Sequence, residues 1–361
     1  MKVLIIGTAD SIYIKSLIEW TFIPFEDKVS VLSSKNTLYS DYYSKNGVEV
    51  LELGQMNKLS KIKALAKRYD LVNVHYINRG SANKGRINGM FSKRFILSFW
   101  GSDILRVEKA DPKISRAIKA ASVITMSTSA MEEKFHEVYG YSYDSKIRNP
   151  GFGCNGLEVL RTNKSERSAL MKKFSVSEDK VVVSIGYNKA EAQQHIKVLQ
   201  VIRSLPEDIQ SKMHIILRLT YGNCGPDYVE RIKEALLDLN CTYTIFESFL
   251  SDEEFAELTQ LTDVFIHAQK TDAMSAAVCE HLYAGCVLLN PSWIRYSKLK
   301  DKAFYLEYND FDELGVLLSD NIIAKTESRY RSKLEQNADV IYDICSWESL
   351  VPAWRNVYSG E

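Results

Sequence analysis

One stretch of sequence decides the fold: Phe265-Ile266-His267-Ala268-Gln269-Lys270-Thr271-Asp272-Ala273-Met274-Ser275-Ala276-Ala277-Val278-Cys279-Glu280-His281-Leu282-Tyr283-Ala284-Gly285. Its β-branched and aromatic start predicts a buried strand, and a polar loop and a short helix follow. Asp272 and Ser275 are residues that cap helix starts, whereas Gly285 is suited to ending a helix. Because Cys286-Val287-Leu288-Leu289-Asn290 predicts a second strand directly afterwards, the stretch is half of a βαβ unit, where ligands bind beyond the carboxyl ends of the strands.

The start of this helix is a candidate site for an anion. The backbone amides of Ser275, Ala276 and Ala277 fall in the first turn, where N–H groups lack helical partners and small side chains let a diphosphate approach. Glu280 lies four residues after Ala276 and projects from the same face, so its carboxylate is placed to accept hydrogen bonds from ribose hydroxyls. Asp272 is then placed to face a sugar. The alternative is an ordinary helix with Asp272 as its cap and Glu280 in solvent.

Length and composition describe a globular protein of two domains. The chain has 361 residues, of which 45% are hydrophobic and 25% are charged. Apolar runs all fall short of the roughly 18 residues that a membrane span requires, and residues 1–7 predict a strand rather than a signal peptide. The six cysteines form no C-x-x-C pair, which favours free thiols and a cytoplasmic protein.

The net charge of zero conceals two halves of opposite charge. Residues 1–150 carry a net charge of +8, and the rest of the chain carries −8. A basic half indicates an anionic partner, with solvated surface charge as the alternative. Lys84, Arg86, Lys93 and Arg94 are concentrated in one segment with apolar residues between them. We expect this segment to contact anionic head groups at the inner face of the membrane, and we expect no nucleic-acid partner.

Strands and helices alternate along both halves, which predicts two Rossmann-like α/β domains with parallel sheets. Strands are predicted in the first half at 2–6, 28–32, 47–53, 70–76, 95–100 and 122–127, with a basic helix over 58–69. In the second half they are predicted at 181–186, 215–219, 242–246, 263–267 and 286–290.

Three motifs resemble retaining glycosyltransferases of family 4, which have the GT-B fold. The family signature is an acidic residue, seven residues and then Glu, and Asp272 stands here where the family usually has Glu. Gly101-Ser102-Asp103 resembles a cleft motif, with Trp100 in place of the family's His. Ser346-Trp347-Glu348 resembles the start of the family's final helix, which crosses back onto the first domain.

The resemblance implies two Rossmann-like domains that face a cleft. Residues 1–152, completed by a helix over 346–361, are expected to form the acceptor-side domain. Residues 153–345 are expected to bind the nucleotide sugar. The segment Asn149-Pro150-Gly151 resembles the family's turn between the domains.

The activity that the resemblance implies is transfer of a sugar from a UDP- or GDP-sugar, as in a hexosyltransferase of polysaccharide biosynthesis. The acceptor would be a hydroxyl of a glycan or of a lipid-linked glycan. Transfer would retain the anomeric configuration and need no metal ion or other cofactor. The spacing in Asp310-Phe311-Asp312 is that of a metal-binding motif, but its place before a helix favours capping.

Two other classes of function remain open. One is a GT-B epimerase or hydrolase of nucleotide sugars, and the other is a non-catalytic module that binds them. The second stays open because the family's diphosphate-binding Arg, expected after the strand at 181–186, is replaced by Tyr187-Asn188-Lys189. Lys189, His195 or Arg218 must then supply the positive charge.

The predicted site residues fall into three groups. The candidate catalytic residues are Asp103, Asp272 and His75, the last at the end of a strand that resembles a His-bearing strand of the family. The residues expected to bind the donor are Glu280, Met274, Ser275, Ala276, Ala277, Gly186, Lys189 and Arg218. The acceptor side of the cleft is expected at Gly7, Thr8, Gly101 and Ser102.

Overall fold

The computed structural model describes residues 1–33, 37–55, 57, 67–323 and 329–360. Two compact units make up the chain: unit 1 contains Met1–Gly153 and Trp347–Glu361, and unit 2 contains Cys154–Ser346. Most of the basic helix predicted over 58–69 lies outside the described residues.

Unit 1 is built on a seven-stranded sheet in the order β3-β2-β1-β4-β5-β6-β7, with parallel pairing throughout. Its strands are β1 (Lys2–Ile6), β2 (Lys28–Ser33), β3 (Glu49–Glu52), β4 (Leu71–His75), β5 (Arg94–Ser98), β6 (Val123–Thr125) and β7 (Ile147–Arg148). Its helices up to residue 153 are α1 (Ile12–Thr21), α2 (Ser40–Lys45), α3 (Arg79–Gly89), α4 (Ser102–Leu105), α5 (Pro112–Ala120) and α6 (Ser129–Tyr139).

Unit 2 is built on a six-stranded parallel sheet in the order β10-β9-β8-β11-β12-β13. Its strands are β8 (Val181–Ile185), β9 (Met213–Arg218), β10 (Thr242–Phe246), β11 (Val264–Ile266), β12 (Val287–Pro291) and β13 (Leu306–Tyr308). Its helices are α7 (Gly156–Thr162), α8 (Arg167–Lys173), α9 (His195–Ser204), α10 (Glu207–Gln210), α11 (Tyr228–Leu237), α12 (Asp252–Leu261), α13 (Ala276–Tyr283), α14 (Phe311–Ile323) and α15 (Arg331–Cys345). Short 3-10 segments of the two units lie at Ile23–Phe25, Asp144–Lys146 and Glu191–Gln193.

The last helix, α16 (Trp347–Ser359), belongs to unit 1. Its apolar face is buried in the core of that unit, where the ring of Tyr358 stacks on Phe22 with 4.7 Å between centroids. On the same helix, Arg355 Nη1 donates to Thr21 O at 3.0 Å. Residues at the two ends of the sequence therefore complete one core.

The strands of both sheets are near-continuous hydrophobic runs because helices cover the two faces of a parallel sheet. The strand order reverses between β1 and β4 in unit 1, and between β8 and β11 in unit 2. In open α/β sheets, ligands bind beyond the carboxyl ends of the strands at this switch point. The two regions to search are therefore the loops that follow β1 and β4, and those that follow β8 and β11.

Candidate functional site

Buried polar atoms without a hydrogen-bond partner gather beyond the carboxyl ends of β8, β9 and β11. Among the described residues, the atoms of unit 2 that follow or end these strands are Gln193 Nε2 and Oε1, His195 Nε2, Arg218 Nε and Nη2, His267 Nε2 and Ser275 Oγ. A buried polar group without a partner costs roughly 1–3 kcal/mol. Several such groups at one edge of a sheet mark a place where a polar ligand or bound water can complete them.

Arg218 is the buried positive charge of this edge. It ends β9, is only 6% exposed, and its Cζ lies 4.5 Å from the centroid of the Phe255 ring. Burial lowers the pKa of the guanidinium and the nearby Glu280 opposes that shift, although an arginine side chain stays protonated in proteins. The side chain therefore holds a charge whose Nε and Nη2 donors have no partner in the described structure.

Glu280 is buried and is not the solvated carboxylate of the alternative interpretation. It lies in α13, with Oε1 at 3.5 Å from the Sγ of Cys154. A Cβ at position 156 would lie 2.1 Å from the same oxygen, so only glycine lets the backbone pass there. Burial raises the pKa of Glu280 to about 7, against the positive charge of Arg218.

The start of α13 offers two amides rather than the three that were predicted. Ser275 N donates to Asp272 Oδ2 at 2.8 Å, so the predicted availability of the Ser275 amide is corrected. The first bond of the helix runs from Val278 N to Ser275 O at 3.1 Å, which leaves the amides of Ala276 and Ala277 ahead of the helical ladder. Met274 has a φ of +59°, a left-handed conformation that costs about 1–3 kcal/mol for a residue with a side chain.

Asp272 fixes the loop before α13. Its Oδ2 accepts from Ser275 N and from the hydroxyl of Tyr296 at 2.7 Å, and its Oδ1 accepts from the hydroxyl of Tyr187 at 3.1 Å. Burial raises the pKa of both tyrosines well above the usual value, so both hydroxyls remain donors. The helix α13 begins after Ser275 without a side-chain cap, so Asp272 fixes the loop ahead of the helix and is not the helix cap of the alternative interpretation.

The structure excludes one of the three candidate cations. Burial lowers the pKa of His195 to about 4, so this side chain is neutral and supplies no positive charge. Gly186 has a φ of +60°, and a Cβ there would lie 2.9 Å from Gln193 Oε1, so glycine is favoured at this position. Lys189 is half-buried and its backbone N donates to Tyr221 O at 2.7 Å. Arg218 and Lys189 are the cations that remain.

Two aromatic residues beside Arg218 were not predicted from the sequence. The rings of Tyr221 and Phe249 stack with 6.0 Å between centroids and 9° between planes, and they are 46% and 77% exposed. The phenol of Tyr221 lies close enough to Arg218 and Glu280 for both charges to act on its pKa, which burial raises. Aromatic residues in two loops that follow strands are the sequence feature that would have found them.

In unit 1, Asp103 joins two loops through backbone amides. Its Oδ1 accepts from the amides of Trp100 and Gly101, each at 2.9 Å, and its Oδ2 accepts from the Ile77 amide at 2.7 Å. Burial raises the pKa of this carboxyl against these amides. Both oxygens hold the loops after β4 and β5 together, and the catalytic role of Asp103 stays a prediction.

His75 ends β4 and is neutral. It is 1% exposed, and burial lowers the pKa of its ring to about 3. Its Nδ1 accepts from Trp100 Nε1 at 3.2 Å, which assigns the ring proton to Nε2. Nε2 has no partner among the described residues, so His75 is a hydrogen-bond donor rather than a base.

The other predicted residues of unit 1 lie at the same edge of its sheet. Gly7 follows β1, and a Cβ there would lie 3.6 Å from the Cβ of His75. Thr8 is exposed in the same loop. Gly101 has a φ of +136°, and the Oγ of Ser102 lies 3.3 Å from the hydroxyl of Tyr76. Gly7, Thr8, His75, Gly101, Ser102 and Asp103 thus belong to one edge in unit 1, and the predicted donor-binding residues belong to one edge in unit 2.

Comparison with known proteins rests on solved structures, since no family model and no curated protein matches the chain. Anabaena HepE in complex with UDP-glucose matches 100% of both chains at 14% identity, with a TM-score of 0.76. A glycosyltransferase from Rickettsia africae matches 99% of this chain and 98% of its own at 12% identity, with a TM-score of 0.77. Sucrose-phosphate synthase from Thermosynechococcus elongatus matches 100% of both chains at 12% identity, with a TM-score of 0.76.

The chain has the GT-B fold. The predicted fold class is thereby confirmed, from the two parallel sheets and from solved structures that cover the whole chain. At these identities the likeness shows the fold alone, so the activity has to be argued from the site.

Asp310 caps a helix of this GT-B chain. Its Oδ1 accepts from Glu313 N at 2.8 Å, and Glu313 Oε2 accepts from Asn309 N at 2.8 Å. The pair of bonds forms a reciprocal cap at the start of α14. The interpretation of 310–312 as a cap is confirmed for Asp310.

The four basic residues of the segment predicted to contact a membrane have different surroundings in unit 1. Lys84 and Arg86 lie on α3, whereas Lys93 Nζ pairs with Asp70 Oδ1 at 2.9 Å. Arg94 begins β5 and is half-buried, and burial lowers the pKa of its guanidinium, so its contact with a membrane surface stays a prediction. Met90 and Phe91 are 66% and 57% exposed. In the described part of the chain, every helix is too short or too polar to span a membrane.

Proposed function

We propose that the protein is a glycosyltransferase that moves a sugar from a nucleotide-sugar donor, held by unit 2, to a hydroxyl of a glycan or lipid-linked glycan. The observation that carries this proposal is the buried guanidinium of Arg218, which has unpartnered donors and lies close to Glu280. A buried unpaired charge destabilises a fold unless a ligand of opposite charge completes it. A nucleoside diphosphate is an anion that also brings a ribose to Glu280.

The donor-binding roles follow from these contacts. The diphosphate accepts hydrogen bonds from Arg218 and from the amides of Ala276 and Ala277 at the positive end of α13. These groups stabilise the charge that develops on the leaving diphosphate as the glycosidic bond breaks. Lys189 supplies a second positive charge, and Gly186 allows close approach of the backbone. Glu280 accepts hydrogen bonds from the ribose.

A nucleobase fits the stacked rings of Tyr221 and Phe249. These rings are exposed and lie beyond the carboxyl ends of β9 and β10. A flat aromatic base stacks on such rings, and each stack contributes about 1–3 kcal/mol. The same rings would gain nothing from a simple phosphate ester, so they favour a nucleotide over a phospholipid. A uridine or guanosine diphosphate sugar is the proposed donor.

We assign the chain to the retaining, metal-independent transferases of family 4. The candidate general bases are weak or engaged: burial lowers the pKa of His75 to about 3, and the oxygens of Asp103 and Asp272 accept hydrogen bonds from within the protein. The resemblance to family 4 implies that a phosphate oxygen of the donor takes the acceptor proton. Asp272 acts on the sugar by holding the loop before α13, and His75 donates from Nε2.

The protein is proposed to act in the cytoplasm, with weak attachment to the inner face of the membrane through unit 1. Lys84 and Arg86 supply the positive charge, while Met90 and Phe91 supply exposed apolar contact. This reduced segment replaces the four basic residues predicted from the sequence, because Lys93 has an acidic partner and Arg94 is partly buried.

The test is a thermal-shift screen of UDP, GDP and their sugars, followed by product analysis of each ligand that stabilises the chain. A ligand at 100 times its dissociation constant stabilises by about 2.7 kcal/mol. We expect nucleotide release that requires an added acceptor and is unchanged by EDTA. Release of free sugar without an acceptor would assign a hydrolase, and an altered sugar on the nucleotide would assign an epimerase. Binding without turnover would assign a non-catalytic module, and loss of turnover that magnesium or manganese restores would contradict the metal-independent mechanism.

A further inference from the structure

Three aromatic side chains meet at the carboxyl edge of the sheet in unit 1. The indole of Trp100 lies 5.7 Å from the ring of Tyr13 and 6.2 Å from the ring of Tyr76, measured between centroids. The indole stands nearly perpendicular to both, at 77° and 79°. Tyr13 begins α1 after β1, Tyr76 follows β4, and Trp100 follows β5. The three rings therefore flank the point where the strand order of unit 1 reverses.

The indole of Trp100 packs against the core of unit 1, and the ring of Phe152 lies 5.6 Å from it and 5.8 Å from Tyr13, so core packing leaves only the exposed parts of the two tyrosine rings unexplained. Tyr76 is 46% exposed and Tyr13 is 38% exposed, so both leave a large aromatic surface outside the core. Tyr76 also has a φ of +57°, which is unfavourable for any residue with a Cβ and suits glycine or asparagine. Residues held in this conformation cluster at active sites and ligand-binding sites, so the exposed ring of Tyr76 points to a role outside the fold.

Hydrogen bonds hold the rings in place. Trp100 Nε1 donates to His75 Nδ1, and the Trp100 amide donates to Asp103 Oδ1. The hydroxyl of Tyr76 lies 3.3 Å from the Oγ of Ser102. The indole is thus fixed by two buried partners, and two hydroxyl groups border the exposed aromatic surface. A pre-organised apolar surface with a few polar groups is typical of a small-molecule site.

We propose that Tyr13, Tyr76 and Trp100 form an aromatic platform on which a neutral pyranose ring of the acceptor stacks. The proposal rests on the proposed function, because it gives the acceptor-side unit its ligand. The C–H face of a pyranose carries partial positive charge, and it is attracted to the negative face of an aromatic ring. The hydroxyls of Ser102 and Tyr76 then bind sugar hydroxyls at the border. A lipid tail would leave those hydroxyls unpaired, so the saccharide is favoured.

The experiment is saturation-transfer difference NMR on the full chain in the presence of UDP or GDP. The probes are cellopentaose, maltopentaose, mannopentaose and chitopentaose, with dodecyl phosphate as the apolar probe. We expect at least one pentaose to bind, and to bind about tenfold more weakly to Tyr76→Asn and Tyr13→Leu. Asparagine tolerates the left-handed backbone, so Tyr76→Asn should unfold at the wild-type temperature or above it.

The matched control is Tyr141→Leu, which removes an aromatic ring that is 72% exposed and stacks on His136 after α6. It should leave pentaose binding unchanged. The platform is overturned if no pentaose binds, if both platform variants bind like the wild type, or if only dodecyl phosphate binds. Calorimetry with UDP and GDP on the same samples separates this result from failure of the proposed function, since the nucleotides bind the other unit.

Discussion

The thiol of Cys154 donates to the carboxyl of Glu280, with 3.5 Å between Sγ and Oε1. A thiol is a weak donor, so this contact offsets little of the desolvation of the carboxyl. Burial consequently raises the pKa of Glu280 to about 7, even beside the positive charge of Arg218. The proposed ribose-binding group is therefore partly protonated at neutral pH in the protein without ligand, and two predictions follow from its titration.

The first prediction concerns stability. The folded pKa of Glu280 lies above the ordinary value of 4.5, so the folded state binds the proton more tightly than the unfolded state. The contribution of Glu280 to the free energy of unfolding should be greatest below pH 4.5, fall as the pH rises to about 7, and stay low above it. Urea unfolding of wild type and Glu280→Gln between pH 5 and 8 should give a difference that changes by up to about 3 kcal/mol. A pH-independent difference would show that the carboxyl is ionised throughout.

The second prediction concerns nucleotide affinity. Ribose hydroxyls donate to the ionised carboxyl, so binding should release a proton near pH 6.5 and strengthen as the pH rises through about 7. Calorimetry in buffers with different ionisation enthalpies measures the proton directly. Glu280→Gln should remove this proton release and weaken binding by roughly 1.5–3 kcal/mol. Proton uptake, or unchanged affinity in the variant, would rule out the ribose contact.

The third prediction concerns the loop before α13. Asp272→Asn supplies one carbonyl oxygen where the carboxylate accepts from Ser275, Tyr187 and Tyr296, so at least one donor loses its partner. Turnover should fall more than affinity for the free nucleotide, since Asp272 is assigned to the sugar. Tyr296→Phe is the matched control, because it removes one donor and keeps the carboxylate. Equal losses of turnover and of UDP or GDP affinity in Asp272→Asn would contradict the assignment of Asp272 to the sugar and not to the nucleotide.

Most of the architecture follows from the sequence, since each predicted strand overlaps a strand of the structure. The two strands that were not predicted, β7 and β13, span two and three residues. Length is not the reason, because β6 and β11 also span three residues and were predicted; β7 and β13 are edge strands of their sheets. Their places are set by pairing with β6 and β12.

The sequence predicted where the site residues lie, but it did not predict their ionisation or their hydrogen bonds. The spacing of Asp272 and Glu280 located the start of α13, but the use of the Ser275 amide depends on where the Asp272 side chain lies in space. Arg218 was one of three candidate cations; it and His195 are both buried, and burial neutralises the imidazole but leaves the guanidinium charged. Asp103 lies at the predicted edge, yet its commitment to backbone amides follows from the meeting of two loops. Ionisation and hydrogen bonding are tertiary properties.

The fourth prediction concerns the membrane. Lys84→Glu with Arg86→Glu should reduce co-sedimentation with anionic liposomes at low salt, because each basic residue near the surface contributes about 1 kcal/mol. Met90→Ser with Phe91→Ser should reduce the binding that remains at high salt. Lys93→Glu is the control, since Lys93 pairs with Asp70 and should contribute little. Equal pelleting of wild type with neutral and anionic liposomes would favour a soluble acceptor.

The fifth prediction tests the central claim, that Arg218 is a buried cation kept for a diphosphate. Arg218→Met removes the charge and keeps an apolar contact with Phe255, so the unliganded protein should unfold at the same temperature or higher. The control is Arg203→Met, which removes an exposed arginine that pairs with Asp238 at 2.8 Å.

The decisive measurement is calorimetric titration of wild type, Arg218→Met and Arg203→Met with UDP and with GDP. We predict that wild type and Arg203→Met bind one of the two nucleotides with equal affinity, and that Arg218→Met binds it at least about tenfold more weakly, as expected for a lost charge-assisted hydrogen bond. Equal affinity in Arg218→Met, or binding of neither nucleotide by the wild type, would contradict the assignment of this edge to a nucleotide-sugar donor.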